Sequence, residues 1–211
     1  MSKENIVFQK LDTPEVMEYT TLIDTDRQKV KYIKRIETLC RQSMEYQDYI
    51  AFLKDYVDMK HCAFFTGVEN QEGSRVRIEI HHEPLTLFDI VSVVVNKYIE
   101  EGLPLNDLYI TDEVMDLHYK NMVGLIPLSK TVHQAIHHSN DLIVPIQLVY
   151  GDFKSFLNEY DDYLSDEIID KIERKIDMSK SIKSEMYNKL NPKFVYLNID
   201  GYKIVKRTDF E

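Results

Sequence analysis

Cysteine is scarce in this sequence. Cys40 and Cys62 are the only two and form no CxxC pair, which excludes a disulfide framework and a cysteine-based zinc ribbon. No run of about 18 apolar residues occurs, so a membrane-spanning helix and a membrane partner are not expected. The opening residues Met1-Ser-Lys-Glu-Asn5 lack the apolar stretch of a secretory signal, and a cytoplasmic location is expected. Internal repeats and low-complexity tracts are also missing. Positive charge is in deficit, with 26 Lys and Arg against 36 Asp and Glu for a net charge of −10. A protein that binds nucleic acid unaided usually presents a basic face, so tight unaided binding is not expected.

What is present is enough for a core: 211 residues, 44% of them hydrophobic, fit one globule with extensions. Val30, Ile33, Ile36 and Cys40, then Ile50, Leu53 and Val57, make apolar stripes at helical spacing, so residues 26–58 read as two helices or one bent helix. Cys62–Val68 and Arg75–His82 read as strands of a hairpin around the polar loop 69–74, ending at Pro84. Thr86 and Asp89 approximate a capping box for a buried helix from Leu87 to Ile99, closed by Gly102 and Pro104. Another helix is expected from about Thr111 to Lys120, then the short apolar segment Val123–Leu128. Ser129 is placed to cap a helix carrying His133 and His137. Further helices are expected over residues 152–163, 166–177 and 180–190, and Asp200-Gly201 predicts a C-terminal hairpin over 194–206.

Charge is unevenly spread. Residues 27–41 carry six basic side chains against Glu37 alone, while residues 152–177 carry nine acids and four bases. Arg27, Lys31, Lys34 and Arg35 are therefore candidates for nucleic-acid contact, and the acidic C-terminal helices for docking a protein partner; an ordinary solvated helix face is the alternative in both cases.

Six of the seven histidines fall between residues 81 and 138. His133 and His137, four apart, stack on one helix face where two imidazoles can share an ion. His81 and His82 are adjacent on a strand and point to opposite faces, which implies two different roles. If His81 completes a three-imidazole site with His133 and His137, then His82 is left free to take a proton from water. Otherwise His82 continues the inward parity of Val76, Ile78 and Ile80 as a hydrogen-bonded core histidine. Glu79 and Glu83 are placed to orient an imidazole.

The string Ile78-Glu-Ile-His-His-Glu-Pro84, followed by Leu125-Ile-Pro-Leu-Ser-Lys-Thr-Val-His-Gln-Ala-Ile-His137, resembles the HNH family of ββα-metal endonucleases in its colicin-type arrangement. The segments ending at Asn121 and Val91 resemble those of HNH-like proteins of large tailed phages. The resemblance implies metal ligation by His81, His133 and His137, with His82 as general base. It implies one divalent metal, zinc, nickel, manganese or cobalt, with magnesium as an option for turnover, because imidazoles suit the former ions better. It also implies hydrolysis of phosphodiester bonds in nucleic acid, DNA being expected, in the host cytoplasm if the gene is a phage's. Gly124 stands where many members have the middle asparagine, and Asn121 is the nearest replacement. Ser129 and Val132 stand where paired cysteines often brace the last helix. His82 and His133 are 51 residues apart, so two helices would have to be inserted into the motif.

The expected fold is α+β, with an HNH-type hairpin-plus-helix site embedded in a mostly helical domain and a C-terminal β-hairpin. The chain divides into an N-terminal helical segment (1–61), an HNH-like block with inserted helices (62–140) and C-terminal helices with the hairpin tail (141–211). Two other functions fit the same residues: an inactive HNH-derived metal-binding or protein-interaction module, and a helical adaptor whose histidines are structural.

Overall fold

The computed structural model describes residues 21–65, 67–69, 73, 75–138 and 143–182. The third expected helix near 180–190 and the hairpin around Asp200-Gly201 lie mostly or wholly outside these residues.

Helix α1 (Asp26–Gln42) starts where the Thr25 hydroxyl accepts from the Gln28 backbone N–H and Gln28 reaches back to the cap. Its stripe of Tyr32, Ile33, Ile36 and Cys40 is buried. Extended backbone at Ser43 ends α1, and the Ser43 hydroxyl, accepting from the Tyr46 N–H, starts α2 (Met44–Asp55), so the segment is two helices. Helix α3 (Leu87–Glu100) carries the Thr86–Asp89 capping box. It ends at Gly102, whose φ of +66° suits a residue without Cβ. Helix α4 (Asp107–Tyr119) begins four residues before the expected Thr111. The Asn106 side chain accepts from the Leu108 and Tyr109 N–H groups and so caps the chain just after Pro104.

The largest departure from expectation is the strand pairing. Strand β1 (Ile78–His82) pairs antiparallel with β2 (Leu125–Ser129), from Ile78 opposite Ser129 to His82 opposite Leu125. The described residues of 62–68 form no strand with it. They close on themselves through one bridge, His61 to Glu69, and the Cys62 N–H donating to the Val68 carbonyl at 2.8 Å. The physical reason is burial: all five β2 residues are buried, and an apolar run of that kind must sit inside a sheet covered on both sides. Ala63 runs along the outer edge of β2, its N–H donating to the Pro127 carbonyl at 2.8 Å. Proline lacks the N–H that a further strand would use.

Helix α5 (Lys130–His138) follows β2 without a loop, with the Ser129 hydroxyl accepting from the Val132 N–H at 3.4 Å. The expected helix over 152–163 is α6 (Phe153–Glu159), which breaks at Tyr160 into a 3-10 turn at Asp161–Tyr163. Helix α7 (Asp166–Lys180) is capped by Ser165 and runs past the expected end. One apolar cluster draws on α1–α4, α6 and α7, and a smaller one, including Ile126, Leu128 and Val132, lies between the sheet and α5. The fold is α+β, with seven α-helices and one two-stranded sheet among the described residues. No helix among them is long and apolar enough to cross a membrane.

Candidate metal centre

The order β1, β2, α5 sets two strands side by side and lays the helix back across them. Alternation turns the neighbouring side chains of His81 and His82 away from each other, although both reach the cavity at this end of β1. On one side His81 meets His133 and His137, whose positions one turn apart on α5 stack their rings. The ring centroids lie 4.8 Å (His81–His133), 5.4 Å (His81–His137) and 4.7 Å (His133–His137) apart. One nitrogen from each ring falls in a group whose members all lie within 4.8 Å of one another.

Two carboxylates lie against these imidazoles, and Glu79 is hydrogen-bonded to one of them. Glu79, on β1, accepts from His133 Nδ1 at 2.5 Å, which leaves the His133 Nε2 lone pair directed to His137 Nε2, 3.0 Å away. Two imidazole nitrogens on one tetrahedral ion stand about 3.3 Å apart, so this spacing fits shared ligation. Glu83, only 2% exposed, sits 3.5 Å from His81 Nε2 on one oxygen and 2.5 Å from Lys175 Nζ of α7 on the other. The ammonium compensates a charge that burial alone would disfavour. Burial, helped by His133 and His81, lowers the His137 pKa from its ordinary value and favours the neutral ligand form. An imidazole held by a carboxylate on its far nitrogen is the usual support of a metal ligand, and the donor set fits a borderline transition metal.

His82 lines the same cavity of about 400 Å³ as the three histidines, together with Arg41 and Glu37 of α1. Its Nε2 lies 3.0 Å from Nε2 of His118, on α4, and Tyr46 stacks on its ring at 6.3 Å. Burial first, then the His118 ring, holds the His82 pKa well below the ordinary imidazole value. Burial likewise lowers His118 to about 4, against the opposing effect of its bond to the Val114 carbonyl. Both rings are therefore neutral at pH 7.

The other expected residues fall elsewhere. Asn121 ends α4 with φ +55°, and its side-chain oxygen accepts from the hydroxyls of Tyr150 at 3.1 Å and Tyr49 at 3.5 Å. It holds the chain reversal into β2 and does not line the cavity. Gly124 has a steric reason: a Cβ there would stand 1.9 Å from the Glu83 carbonyl oxygen and 2.8 Å from Val149 Cγ1, so no asparagine fits. Arg27, Lys31 and Lys34 are exposed on α1, whereas Arg35 is tied to Asp107 at 2.7 Å and to the Thr21 hydroxyl at 2.9 Å. Arg27, Lys34 and Arg41 recur every seven residues and so share one face of α1, which ends at the cavity. Arg41 was within reach of sequence reasoning through that spacing. His118 belonged to the visible histidine cluster but carried no sign of its partner, and Lys175 had no signal at all.

No curated protein and no solved structure matches the chain. The model of the bacteriophage G278-like virion protein family matches residues 2–199, nearly the whole length. The chain therefore belongs to the bacteriophage G278-like virion protein family.

Proposed function

We propose that this phage protein is a metal-dependent endonuclease of the HNH type, hydrolysing phosphodiester bonds in nucleic acid, DNA being the expected substrate. The observation that carries this reading is the strand, strand, helix arrangement that gathers His81, His133 and His137 while His82 opens on the same cavity. These three imidazoles would hold one divalent transition metal, which supplies the positive charge that the phosphate and leaving oxygen need. Glu79 and Glu83 keep the ligand rings oriented. His82, neutral at working pH, accepts the proton of the attacking water. Arg41, at the cavity wall, meets the phosphate once its bond to Glu37 (Nη2 to Oε1, 3.0 Å) is exchanged for it. The exposed Arg27 and Lys34 continue that face along the backbone of the substrate.

The test is elemental analysis of the purified chain alongside plasmid nicking with zinc, nickel, manganese, cobalt and magnesium. The expected outcome is one transition metal per chain and nicking that His82→Ala abolishes without metal loss, by about 10²–10⁴-fold in rate. A metal-loaded wild type that nicks nothing would leave the second reading, a metal-stabilised module of the virion that has lost hydrolysis. The exclusion of any side chain at position 124, where many HNH proteins carry the asparagine, favours that second reading.

A further inference from the structure

His118 is fully buried, 0% exposed, and has no part in the reaction as described so far. Its Nδ1 stands 2.7 Å from the Val114 carbonyl oxygen, one turn back on α4. A carbonyl can only accept, so Nδ1 carries the hydrogen of the neutral ring and Nε2 keeps a lone pair. That lone pair faces His82 Nε2 at 3.0 Å. Two lone pairs would repel at this distance between two buried rings, so His82 Nε2 must be the N–H that donates. Aromatic packing holds both planes: Tyr46 and Tyr49 meet His118 edge-on at 5.7 and 5.5 Å, and Tyr46 stacks on His82. The nitrogen of His82 left with a lone pair is Nδ1, and His82 is part of the cavity wall.

We propose that His118 is a positioning residue for His82: it fixes the Nε2–H tautomer and leaves Nδ1 as the nitrogen that takes the proton from water. The catalytic half of this rests on the nuclease reading above. In the step, the water proton passes to His82 Nδ1 as the water oxygen forms a bond to phosphorus. The ester P–O bond breaks with its electron pair on the leaving oxygen, which is protonated by solvent, and His82 later returns its proton to solvent. Throughout, His82 Nε2–H goes on donating to His118, so the ring carries its transient charge without turning.

The experiment uses the full-length, zinc-loaded, 15N-labelled chain and long-range proton–nitrogen correlation spectra of its histidines at pH 7.5, with plasmid nicking measured in parallel. His82 is expected to show a protonated Nε2 and a bare Nδ1. In His118→Leu, His82 should become a mixture of tautomers and nicking should fall about 10²–10⁴-fold, as for a misplaced or wrongly protonated base, with zinc still bound. In His118→Gln, whose amide oxygen replaces the lost acceptor, the spectrum and most of the rate should return. A wild-type His82 protonated at Nδ1 would overturn the proposal whether or not any variant folds, and would leave the nuclease reading standing. Wild-type rate and tautomer in a folded His118→Leu would overturn it too. Absence of nicking in a wild type with the expected tautomer would overturn the catalytic half together with the reading beneath it.

Discussion

The buried histidine pair makes stability fall with acid in a window set by its own titration. His118 goes from an ordinary 6.5 in the unfolded chain to about 4 in the folded one, with burial as the cause, and His82 is shifted the same way. Between these values the unfolded chain binds protons that the folded chain refuses, so stability is whole above pH 6.5 and is lost as pH falls toward 4. For His118 alone the linkage costs about 2 kcal/mol at pH 5. In a chain of this size that lowers the melting temperature by roughly 4–8 °C. The assay is thermal unfolding of the metal-free chain, in chelator, at pH 7.5, 6 and 5, so that metal release does not contribute. Replacing both rings together, as His82→Gln with His118→Gln, should remove most of the fall. A melting temperature that is flat over this range, or an equal fall in the double variant, would refute the assignment of the acid sensitivity to this pair.

Gly124→Asn, which introduces the residue many HNH proteins have, should not improve nicking. The side chain would collide with the Glu83 carbonyl at the end of β1, and chemical denaturation should read a loss of about 3 kcal/mol or an insoluble chain. His133→Ala should weaken transition-metal binding by orders of magnitude in titration calorimetry and abolish the rise in melting temperature that zinc gives the wild type; a wild type with no tight site would end the metal assignment. A His82→Ala chain with metal bound should bind duplex and single-stranded DNA only weakly in fluorescence anisotropy at about 0.15 M salt, because a body of net charge −10 repels a polyanion. Submicromolar binding there would show that α1 suffices as a nucleic-acid face.

The helices were legible wherever caps and period agreed: Thr86 with Asp89 and Gly102 bound α3, and the stripe from Ile33 to Cys40 marked α1. The grouping of His81, His133 and His137 was legible as well, since a helical i, i+4 pair and a strand-end histidine need only one chain reversal to meet. The partner of β1 was not. Cys62–Val68 and Leu125–Ser129 are both short apolar segments, and local pattern favours the nearer one. Which of them pairs is decided by burial on both faces of the sheet, a property of helices that arrive from elsewhere in the chain. Helix α4 starts before Thr111 for a local reason: Asn106 caps it, and its first apolar residues, Leu108 and Tyr109, are exposed, so the buried period begins only at Ile110. His118 and Lys175 were out of reach because their meaning lies wholly in contacts across the fold, with His82 and Glu83 respectively.

The strand pairing also explains how two helices can lie within one hairpin without loosening the site. Helices α3 and α4 stand between β1 and β2 in sequence, yet they pack against α1 and against each other in the main core, with Val93, Val94, Ile110 and Val114 all fully buried. The chain returns to β2 at Asn121 and Gly124, where the Glu83 N–H donates to the Gly124 carbonyl at 3.0 Å and the Asp152 N–H to the Asn121 carbonyl at 2.6 Å. Closing a longer loop costs only a small logarithmic term, and the buried apolar surface of the insertion offsets it many times over. The insertion also supplies His118 from its second helix. The same helix that lengthens the motif thus fills the space behind His82 and holds its ring, while α5 alone, braced by packing of Val132 and by the Ser129 cap, presents the other two histidines. Removing the insertion would expose the rear of His82 to water and release its tautomer, so on the proposed reading the long spacing between the two halves of the motif is part of the catalytic apparatus.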